Sequence, residues 1–402
     1  MGKHEKKGGL SARLAALGKY PVLILFFGFL AVMIAADWIT PFRSASELEN
    51  TTFIQRPQLT VNDLTSGQAA ARINRFFTNY STFIKQQFTG RDAWIDIQSR
   101  CETLLFAKEE YGNVLLGDDG MEFARMYGLT AAEQESLPKN LAGVAALGDR
   151  YPGKVYTMIV PSASAIYPDK LPAGAPMLDE DACLDEMLAQ LEGHVTALDL
   201  RDTLTAHKDE YLYYRTDHHW TTTGGAWYGY LELCDALGLT PFDPAAHTAV
   251  EVPDFHGTNY AKCRQWNVQP DTITYYDLDN TLTVYRVTGA DTVEVDTETG
   301  LYDTDKFGVY DKYGAFLHGN NGYSRIAGDG EGSILIVKDS YANCLAPYLT
   351  ANYANIDLID LRNYNYGLDA LIAKNDYDAI LVLYSFDSFK SDANLYKVGV
   401  AG

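Results

Sequence analysis

A short polar stretch near the middle of the chain carries residue types that acid–base chemistry needs. Asp217, His218, His219 and Trp220 follow one another within the segment 213–224. An aspartate two residues before a histidine can orient the imidazole and stabilise its charged form. The stretch contains no nucleophile paired with this base, so one has to come from elsewhere in the chain.

Ser340 offers such a nucleophile far downstream. It follows the apolar run 333–337, which has the character of a buried strand, and it precedes a helical pattern. At a strand-to-helix turn, the free backbone amides of the helix favour a developing oxyanion. The alternative is that Asp339 and Ser340 only cap that helix. We interpret the two stretches together as the basis of an acyl-transfer enzyme.

The adjacent histidines could instead pack in the core or bind zinc, and a zinc site would need further ligands. The remaining candidate ligands show no paired spacing; they are His194, His207, His247, His256 and His318. The five cysteines are an odd number without a Cys-x-x-Cys spacing, which argues against a disulfide framework and a zinc knuckle. The sequence therefore predicts a site with no metal and no cofactor.

The elements that must position these residues alternate between strand and helix patterns. Continuous apolar runs predict strands at 155–160, 195–200, 333–337, 356–361 and 379–384. Helical patterns follow at 181–191, 341–353 and 368–374. This alternation predicts an α/β fold with a parallel sheet flanked by helices. Functional residues lie at the carboxyl ends of such strands, where Ser162, Ser340 and Arg362 fall.

Residues 241–330 interrupt the alternation with a β-rich insertion. Period-two patterns between Gly and Asp turns predict strands at 272–276, 282–287 and 292–295. We interpret this insertion as a hairpin region and not as an independent domain. Its last part, 313–322, is predicted to be a flexible polar loop.

The beginning of the chain has the pattern of a membrane anchor. Residues 1–19 carry five basic side chains against one acidic side chain and are predicted to form a cytoplasmic tail. The apolar run that follows predicts a transmembrane helix over 20–39, near the lower length limit for a tilted span. A stalk over 40–65 and a catalytic domain over 66–402 complete the predicted organisation. The alternative is a signal peptide cleaved near Ala36, for which the basic region is long.

Two stretches of the chain resemble the signature motifs of a known family. Residues 216–221 read TDHHWT and residues 337–344 read VKDSYANC, and both look like the signature stretches of the bacterial DHHW protein family. That family is similar to the SGNH-like acetyltransferases that O-acetylate alginate and other exported polysaccharides. Further matches are 317–320, which resembles a Gly-Gly-Asn motif, and 359–362. The likeness covers roughly residues 66–390.

The resemblance implies a fold and a role for individual residues. The fold would be an SGNH-hydrolase-like three-layer arrangement. The pattern Asp-x-His-Trp makes Asp217 the orienting acid and His219 the base, and the family serine falls on Ser340 as the acetyl-carrying nucleophile. Lys338 stands where SGNH enzymes usually have glycine, and the Asp-His pair precedes the serine, as in the alginate enzymes.

These departures leave the oxyanion donors open. The candidates for oxyanion or substrate contact are Gly319, Asn320, Arg362, His218 and Trp220, with Ser385 at a further strand end. Several aromatic residues could line a sugar groove, namely Tyr211, Tyr213, Tyr214, Trp220, Trp227 and Trp266.

Three hypotheses for the function follow. The first is a membrane-anchored, extracytoplasmic O-acetyltransferase of a cell-surface or exported polysaccharide. The resemblance implies that a membrane-bound acyltransferase partner supplies its acetyl groups. The second is a carbohydrate esterase, in which the same triad uses water as the acceptor. The third is a non-catalytic glycan-binding or scaffold component of an export complex. A net charge of −21 argues against nucleic acid as a partner.

Overall fold

The computed structural model describes residues 20–46, 51–289 and 292–400. The predicted cytoplasmic tail at 1–19 lies outside the described residues. The chain divides into two compact units. Within the described residues, the first unit holds 20–46 and 51–98, and the second holds 99–400. The sequence-based start of the catalytic domain at residue 66 stays a prediction.

The first unit contains the predicted membrane helix. Helix α1 spans Pro21–Ile39 and begins with proline, whose missing N–H costs nothing at that position. With a mean hydropathy of 2.5, it is long and apolar enough to be a membrane span or a signal sequence. The other elements are β1 Ala45–Ser46, β2 Thr51–Thr52, α2 Val61–Thr65, α3 Ala69–Gln87 and α4 Arg91–Phe106, which continues into the second unit.

The second unit is built around an eight-stranded sheet. The strands of the whole unit are β3 Glu110–Tyr111, β4 Val114–Leu116, β5 Glu122–Ala124, β6 Val155–Val160, β7 Thr196–Leu198, β8 Thr248–Phe255, β9 Asp271–Asp277, β10 Thr281–Gly289, β11 Thr292–Gly300, β12 Tyr323–Ala327, β13 Ser333–Lys338, β14 Asn355–Ile359 and β15 Ala379–Ser385. The order in the central sheet is β11-β10-β12-β14-β13-β15-β6-β7. The five strands from β14 to β7 are parallel neighbours, so the predicted α/β class with a mostly parallel sheet is confirmed.

The predicted β-rich insertion contributes directly to this sheet. Strand β12 pairs antiparallel with β14, and β10 and β11 extend the same edge. Strands β8 and β9 form a separate antiparallel pair, and β3, β4 and β5 form a small three-stranded sheet. Unpaired backbone groups at a sheet edge need partners, and the inserted strands supply them to β14.

Helices complete the second unit: α5 Ala131–Arg150, α6 Ala163–Ile166, α7 Glu180–Leu191, α8 Arg201–Ala206, α9 Trp227–Leu237, α10 Thr258–Cys263, α11 Ala342–Leu345, α12 Asp369–Asn375 and α13 Phe386–Ser391.

Strand β13 shows why the sheet is buried on both faces. Ile334 and Ile336 join one apolar cluster, which includes Leu233 of α9. Leu335 and Val337 join a second cluster, which includes residues of α5 and α7. Alternating side chains of a strand point to opposite faces, so a continuous apolar run fills two cores.

The prediction that 313–322 forms a flexible polar loop is wrong for the first half of this segment. Tyr313, Ala315, Phe316 and Leu317 are buried, and a short 3₁₀ turn spans Tyr313–Ala315. The apolar side chains in this segment join the same cluster as Ile334, and their burial outweighs the flexibility that its glycines suggested.

Candidate active site

Ser340 lies directly beyond the carboxyl end of β13, at the edge where the parallel strands end. The turn there is fixed by the buried carboxylate of Asp339. One of its oxygens accepts a hydrogen bond from Tyr341 N at 2.8 Å. The other accepts from Ser385 N at 2.9 Å and Ser385 Oγ at 2.8 Å, at the end of neighbouring β15. Asp339 therefore holds the turn, and the Ser340 hydroxyl is left for another partner.

That partner is His219. Its Nε2 lies 2.7 Å from Ser340 Oγ, and its Nδ1 lies 2.5 Å from Asp217 Oδ1. With the Nδ1 proton directed at the carboxylate, Nε2 is free to accept the serine proton. The structure thus brings the three residues of the predicted triad into one hydrogen-bonded chain. His219 and Asp217 are buried, whereas Ser340 is half-buried.

Asp217 is held by two further backbone groups. His219 N donates to Oδ1 at 2.9 Å, and Thr258 N, in the first turn of α10, donates to Oδ2 at 2.7 Å. Burial favours the neutral acid, but the His218 and His219 imidazoles and these hydrogen bonds outweigh it and lower the pKa of Asp217 well below its ordinary value. Asp217 is therefore an anion that can stabilise a protonated His219.

Gly257 allows this approach of Asp217 to α10. A Cβ atom on Gly257 would lie 2.2 Å from Asp217 Cβ and 2.4 Å from Asp217 Oδ2. Gly257 and Thr258 belong to the β-rich insertion, and nothing in their local sequence distinguishes them. Sequence reasoning missed both for that reason.

Tyr313, which belongs to the β-rich insertion, contacts the His219 imidazole. The Tyr313 ring stacks on the His219 imidazole, with 3.8 Å between ring centroids and 13° between planes. Its hydroxyl donates to Ser340 O at 3.0 Å and contacts Cys344 Sγ at 3.3 Å. Tyr313 therefore touches both the His219 imidazole and the backbone of Ser340. Its position beside the Gly-Asn segment was the only signal in the sequence.

The burial of Trp220 contradicts its inclusion among the candidates for substrate contact. Its side chain is fully buried, and its indole N–H donates to Tyr341 O at 2.9 Å. Gly225 and Gly229 leave room for the ring, because a Cβ atom on either would lie within 3.0 Å of a Trp220 atom. Tyr213 and Tyr214 are also fully buried, so neither lines a sugar groove.

His218 lies beside the base but faces outward. Its side chain is 41% exposed, and its Nδ1 is 2.6 Å from Thr258 Oγ1. Its ring centroid is 3.9 Å from that of His219. The hydroxyl of Tyr341 donates to the His218 carbonyl, which fixes the backbone between the two histidines. A role of His218 in substrate contact stays a prediction.

The other oxyanion candidates lie in two networks. Asn320 Oδ1 accepts from Lys338 Nζ at 3.1 Å and from Asn343 Nδ2 at 3.2 Å, and Lys338 Nζ also donates to Asn343 Oδ1 at 2.7 Å. Burial lowers the pKa of Lys338 to about 8. The lysine that replaces the usual glycine thus ties the Gly-Asn segment to the start of α11.

Arg362 lies in the second network. Its Nε donates to Asp360 Oδ1 at 2.9 Å, and it lines a cleft of about 310 Å³ together with Asp339. Gly319 has a φ of +88°, a left-handed conformation that suits glycine. The roles of Gly319, Asn320 and Arg362 as oxyanion donors stay predictions.

The same stretch has the composition of a metal site. Within the described part of the chain, ligand atoms of Asp217, His218 and His219 lie within 4.8 Å of one another. Their hydrogen bonds compete with that use, since both Asp217 oxygens, both His219 nitrogens and His218 Nδ1 already have partners. A metal bound to His219 would have to displace either the Asp217 contact at Nδ1 or the Ser340 contact at Nε2. The geometry therefore favours acid–base chemistry.

Comparisons with known proteins agree with the motifs. A family model described as DHHW protein matches residues 108–359. A DHHW family protein from Eubacterium siraeum has a similar structure, with 25% identity, 72% of this chain and 95% of that chain covered, and a TM-score of 0.60. Bacillus cereus PatB1, solved with a sulfonyl adduct, has 18% identity, covers 71% and 99%, and has a TM-score of 0.55. The O-acetyltransferase domain of Pseudomonas putida AlgJ has 16% identity, covers 71% and 98%, and has a TM-score of 0.44. No curated protein matches.

Proposed function

The chain belongs to the DHHW protein family, and from that premise we propose that it is a membrane-anchored, extracytoplasmic O-acetyltransferase. Its acceptor is a cell-surface or exported polysaccharide, and its sheet is of the SGNH-like class. The observation that carries the proposal is the chain of hydrogen bonds from Asp217 through His219 to Ser340. The resemblance of both motifs to SGNH-like polysaccharide acetyltransferases supports the choice of the acetyl group and of the acceptor.

The first half-reaction loads the enzyme. Ser340 Oγ attacks the carbonyl carbon of the acetyl donor, and its proton moves to His219 Nε2, 2.7 Å away. Asp217 stabilises the resulting imidazolium. The bond from the acyl carbon to the leaving oxygen then breaks, and His219 returns the proton to that oxygen. The product is an acetyl ester on Ser340.

The second half-reaction repeats these steps with the acceptor. His219 removes the proton from a sugar hydroxyl, whose oxygen attacks the acetyl carbonyl. The bond to Ser340 Oγ breaks, and His219 gives the proton back to the serine. If water takes the place of the sugar, the same residues hydrolyse the ester, so exclusion of water decides between transfer and hydrolysis.

The proposed location follows from α1. The basic residues precede this helix and the acidic remainder of the chain follows it, which supports a cytoplasmic N-terminus. Acetyl groups in the cytoplasm would have to cross the membrane to reach Ser340. A membrane-bound acyltransferase partner that delivers them is therefore part of the proposal.

The test is to trap the acetyl ester on the full-length chain. After p-nitrophenyl acetate treatment in detergent, mass spectrometry is expected to find one acetyl group on the peptide that contains Ser340. Hydroxylamine should remove this group, because it cleaves an ester and leaves an amide on Lys338 intact. Phenylmethylsulfonyl fluoride should block the labelling, since PatB1 with the same overall fold carries a sulfonyl adduct. A folded chain that never acquires the ester would contradict the proposal.

Two control variants make the test specific. Ser162 also follows a parallel strand, but its hydroxyl donates to Glu180 Oε2 at 2.6 Å and not to an imidazole. Ser162→Ala should therefore leave the labelling unchanged, whereas Ser340→Ala should abolish it. Cys344→Ala should also leave it unchanged, because Cys344 is fully buried and burial raises the pKa of its thiol to about 12.

A further inference from the structure

A polar cleft of about 460 Å³ lies in the second unit, outside the triad. Three separate parts of the chain line it: the turn after β4, Arg215, and the loop between α10 and β9. The polar residues that line it are Asp119, Glu122, Arg215, Gln265, Asn267 and Gln269. None of them takes part in the proposed chemistry at Ser340.

Two of these side chains have unused hydrogen-bonding capacity. Glu122 is only 2% exposed, and its Oε1 accepts from Cys263 Sγ at 3.1 Å. Among the residues that the structure describes, its Oε2 and Arg215 Nε are buried atoms without a hydrogen-bond partner. A buried polar atom without a partner costs about 1–3 kcal/mol, so these two residues are held beside the cleft at a cost in stability.

The turn at the floor of the cleft is preformed. Asp119 and Gly120 both adopt left-handed backbone conformations, with φ of 57° and 73°. Gly117 has no space for a side chain, because a Cβ atom would lie 2.4 Å from Lys170 O. The sequence Gly-Asp-Asp-Gly at 117–120 therefore makes a tight turn that exposes the Asp119 carboxylate, which lies 3.3 Å from Lys170 Nζ.

The cleft is connected to the triad through buried Asp271. One oxygen of Asp271 accepts from Arg215 N at 3.1 Å, and the other accepts from Thr216 N at 2.8 Å and from Thr216 Oγ1 at 2.6 Å. Thr216 Oγ1 in turn accepts from Gly257 N at 3.0 Å, the residue that touches Asp217. The same short segment therefore positions Arg215 in the cleft and Asp217 in the triad.

The side chains of the cleft indicate which ligands it can bind. The amides of Gln265, Asn267 and Gln269 offer both donors and acceptors. Such a set matches neighbouring hydroxyl groups. A net charge of −21 repels polyanions.

We propose that this cleft binds uncharged, hydroxyl-rich sugar units of the acceptor glycan. The inference rests on the proposed function, because it assigns the cleft to the substrate of that reaction. It makes Asn267 and Gln269, which are exposed and line the cleft, binding residues. Anionic glycans are excluded as preferred ligands by the charge of the chain.

The test measures binding directly. Full-length Ser340→Ala protein in detergent is titrated by calorimetry with cellohexaose, chitohexaose, maltohexaose and an oligomannuronate hexamer. At least one uncharged hexasaccharide should bind. Gln269→Ala should weaken its binding by about tenfold, the loss expected for one or two hydrogen bonds. Asn267→Ala provides a second cleft variant, and both should keep the wild-type melting temperature because both side chains are exposed.

The matched control is Gln190→Ala. Gln190 is an exposed glutamine on α7 and does not line the cleft, so this variant should bind as tightly as the parent. The inference is overturned if no uncharged hexasaccharide binds, if the oligomannuronate alone binds, or if both cleft variants bind like Gln190→Ala. Because the titrated protein carries alanine in place of Ser340, these binding results are independent of the acetyl-ester test. An ester on Ser340 without cleft binding refutes only the inference, and cleft binding without an ester refutes only the proposed chemistry.

Discussion

Gly257→Ala tests whether the position of Asp217 matters for the chemistry. Gly257 has φ −87° and ψ −164°, which alanine can adopt, so the substitution acts through space and not through backbone strain. The added methyl group would start 2.2 Å from Asp217 Cβ. Carbon atoms in contact prefer roughly 3.5–4.0 Å, so the two groups have to separate by more than about 1 Å.

That displacement would break the alignment of Asp217 with His219. A misplacement of about 1 Å in a catalytic group can cost about 100-fold in rate. The rate constant for acetylation of Ser340 by p-nitrophenyl acetate is therefore expected to fall about 100-fold, which corresponds to about 2.7 kcal/mol of activation free energy. The assay follows p-nitrophenolate release in a stopped-flow instrument, with the ester on Ser340 verified by mass spectrometry.

Two other glycines separate this effect from general damage. Gly128→Ala adds a methyl group with nothing within 4 Å and should change neither rate nor stability. Gly143→Ala places a methyl group 2.7 Å from Tyr396 O, at a contact that shares no residue with the site. It should lower stability, by about 1–3 kcal/mol as overpacking does, while leaving the acetylation rate near that of the wild type. A folded Gly257→Ala protein with a rate within threefold of the wild type would refute the reasoning.

Three further expectations follow from the same contacts. Asp217→Asn should lower the acetylation rate by about 10³–10⁴-fold, because an amide favours the wrong tautomer of His219, whereas His218→Ala should have a much smaller effect. Equal losses in stopped-flow rates would leave the identity of the base open. Burial raises the pKa of Glu122 to about 8, so the native state keeps a proton that the unfolded state releases near pH 4.5. The free energy of unfolding of the wild type should therefore fall as the pH rises from about 4.5 to about 8, by roughly 1.4 kcal/mol per pH unit. Glu122→Gln should make that fall smaller in thermal melts at pH 5 and pH 8, and equal falls in the variant and the wild type would contradict the prediction. In intact cells, external protease should degrade the region after Ala36 and spare the basic tail. A domain protected from the protease would mean the opposite orientation. A domain found free in the medium would mean that a signal peptide had been cleaved.

The strands of the parallel sheet could be predicted because their physical signal is local. A strand buried on both faces must be apolar at every position, and the runs at 155–160, 333–337 and 379–384 coincide with β6, β13 and β15 within one residue. The strand order could not be predicted from these runs. It depends on which strands lie beside one another, as with β12, which reaches β14 from within the insertion.

The site shows the same limit at the level of side chains. His219 and Ser340 are separated by 121 positions in the sequence, and no periodicity relates them. The family resemblance supplied their pairing in advance, and the structure brings the two side chains together. Tyr313 and Gly257 gave no comparable signal, because stacking on an imidazole and making room for a carboxylate are properties of the folded chain. Glycine and asparagine in 313–322 suggested a mobile loop, whereas the apolar residues between them are buried in the core.

The side chains of the Asp-His-His-Trp motif lie in different surroundings, and the short loop that carries them explains why. An antiparallel bridge joins Tyr213 to Trp220, and Tyr214 N donates to His219 O at 3.2 Å, which closes the loop. Within it, Asp217 and His219 face inward, where the hydrogen bond between their side chains forms, and His218 faces outward. Trp220 anchors the loop by donating to the backbone of Tyr341, the residue after the nucleophile. The tryptophan therefore ties the loop that carries His219 to the turn that carries Ser340, and its presence in the motif requires no contact with substrate.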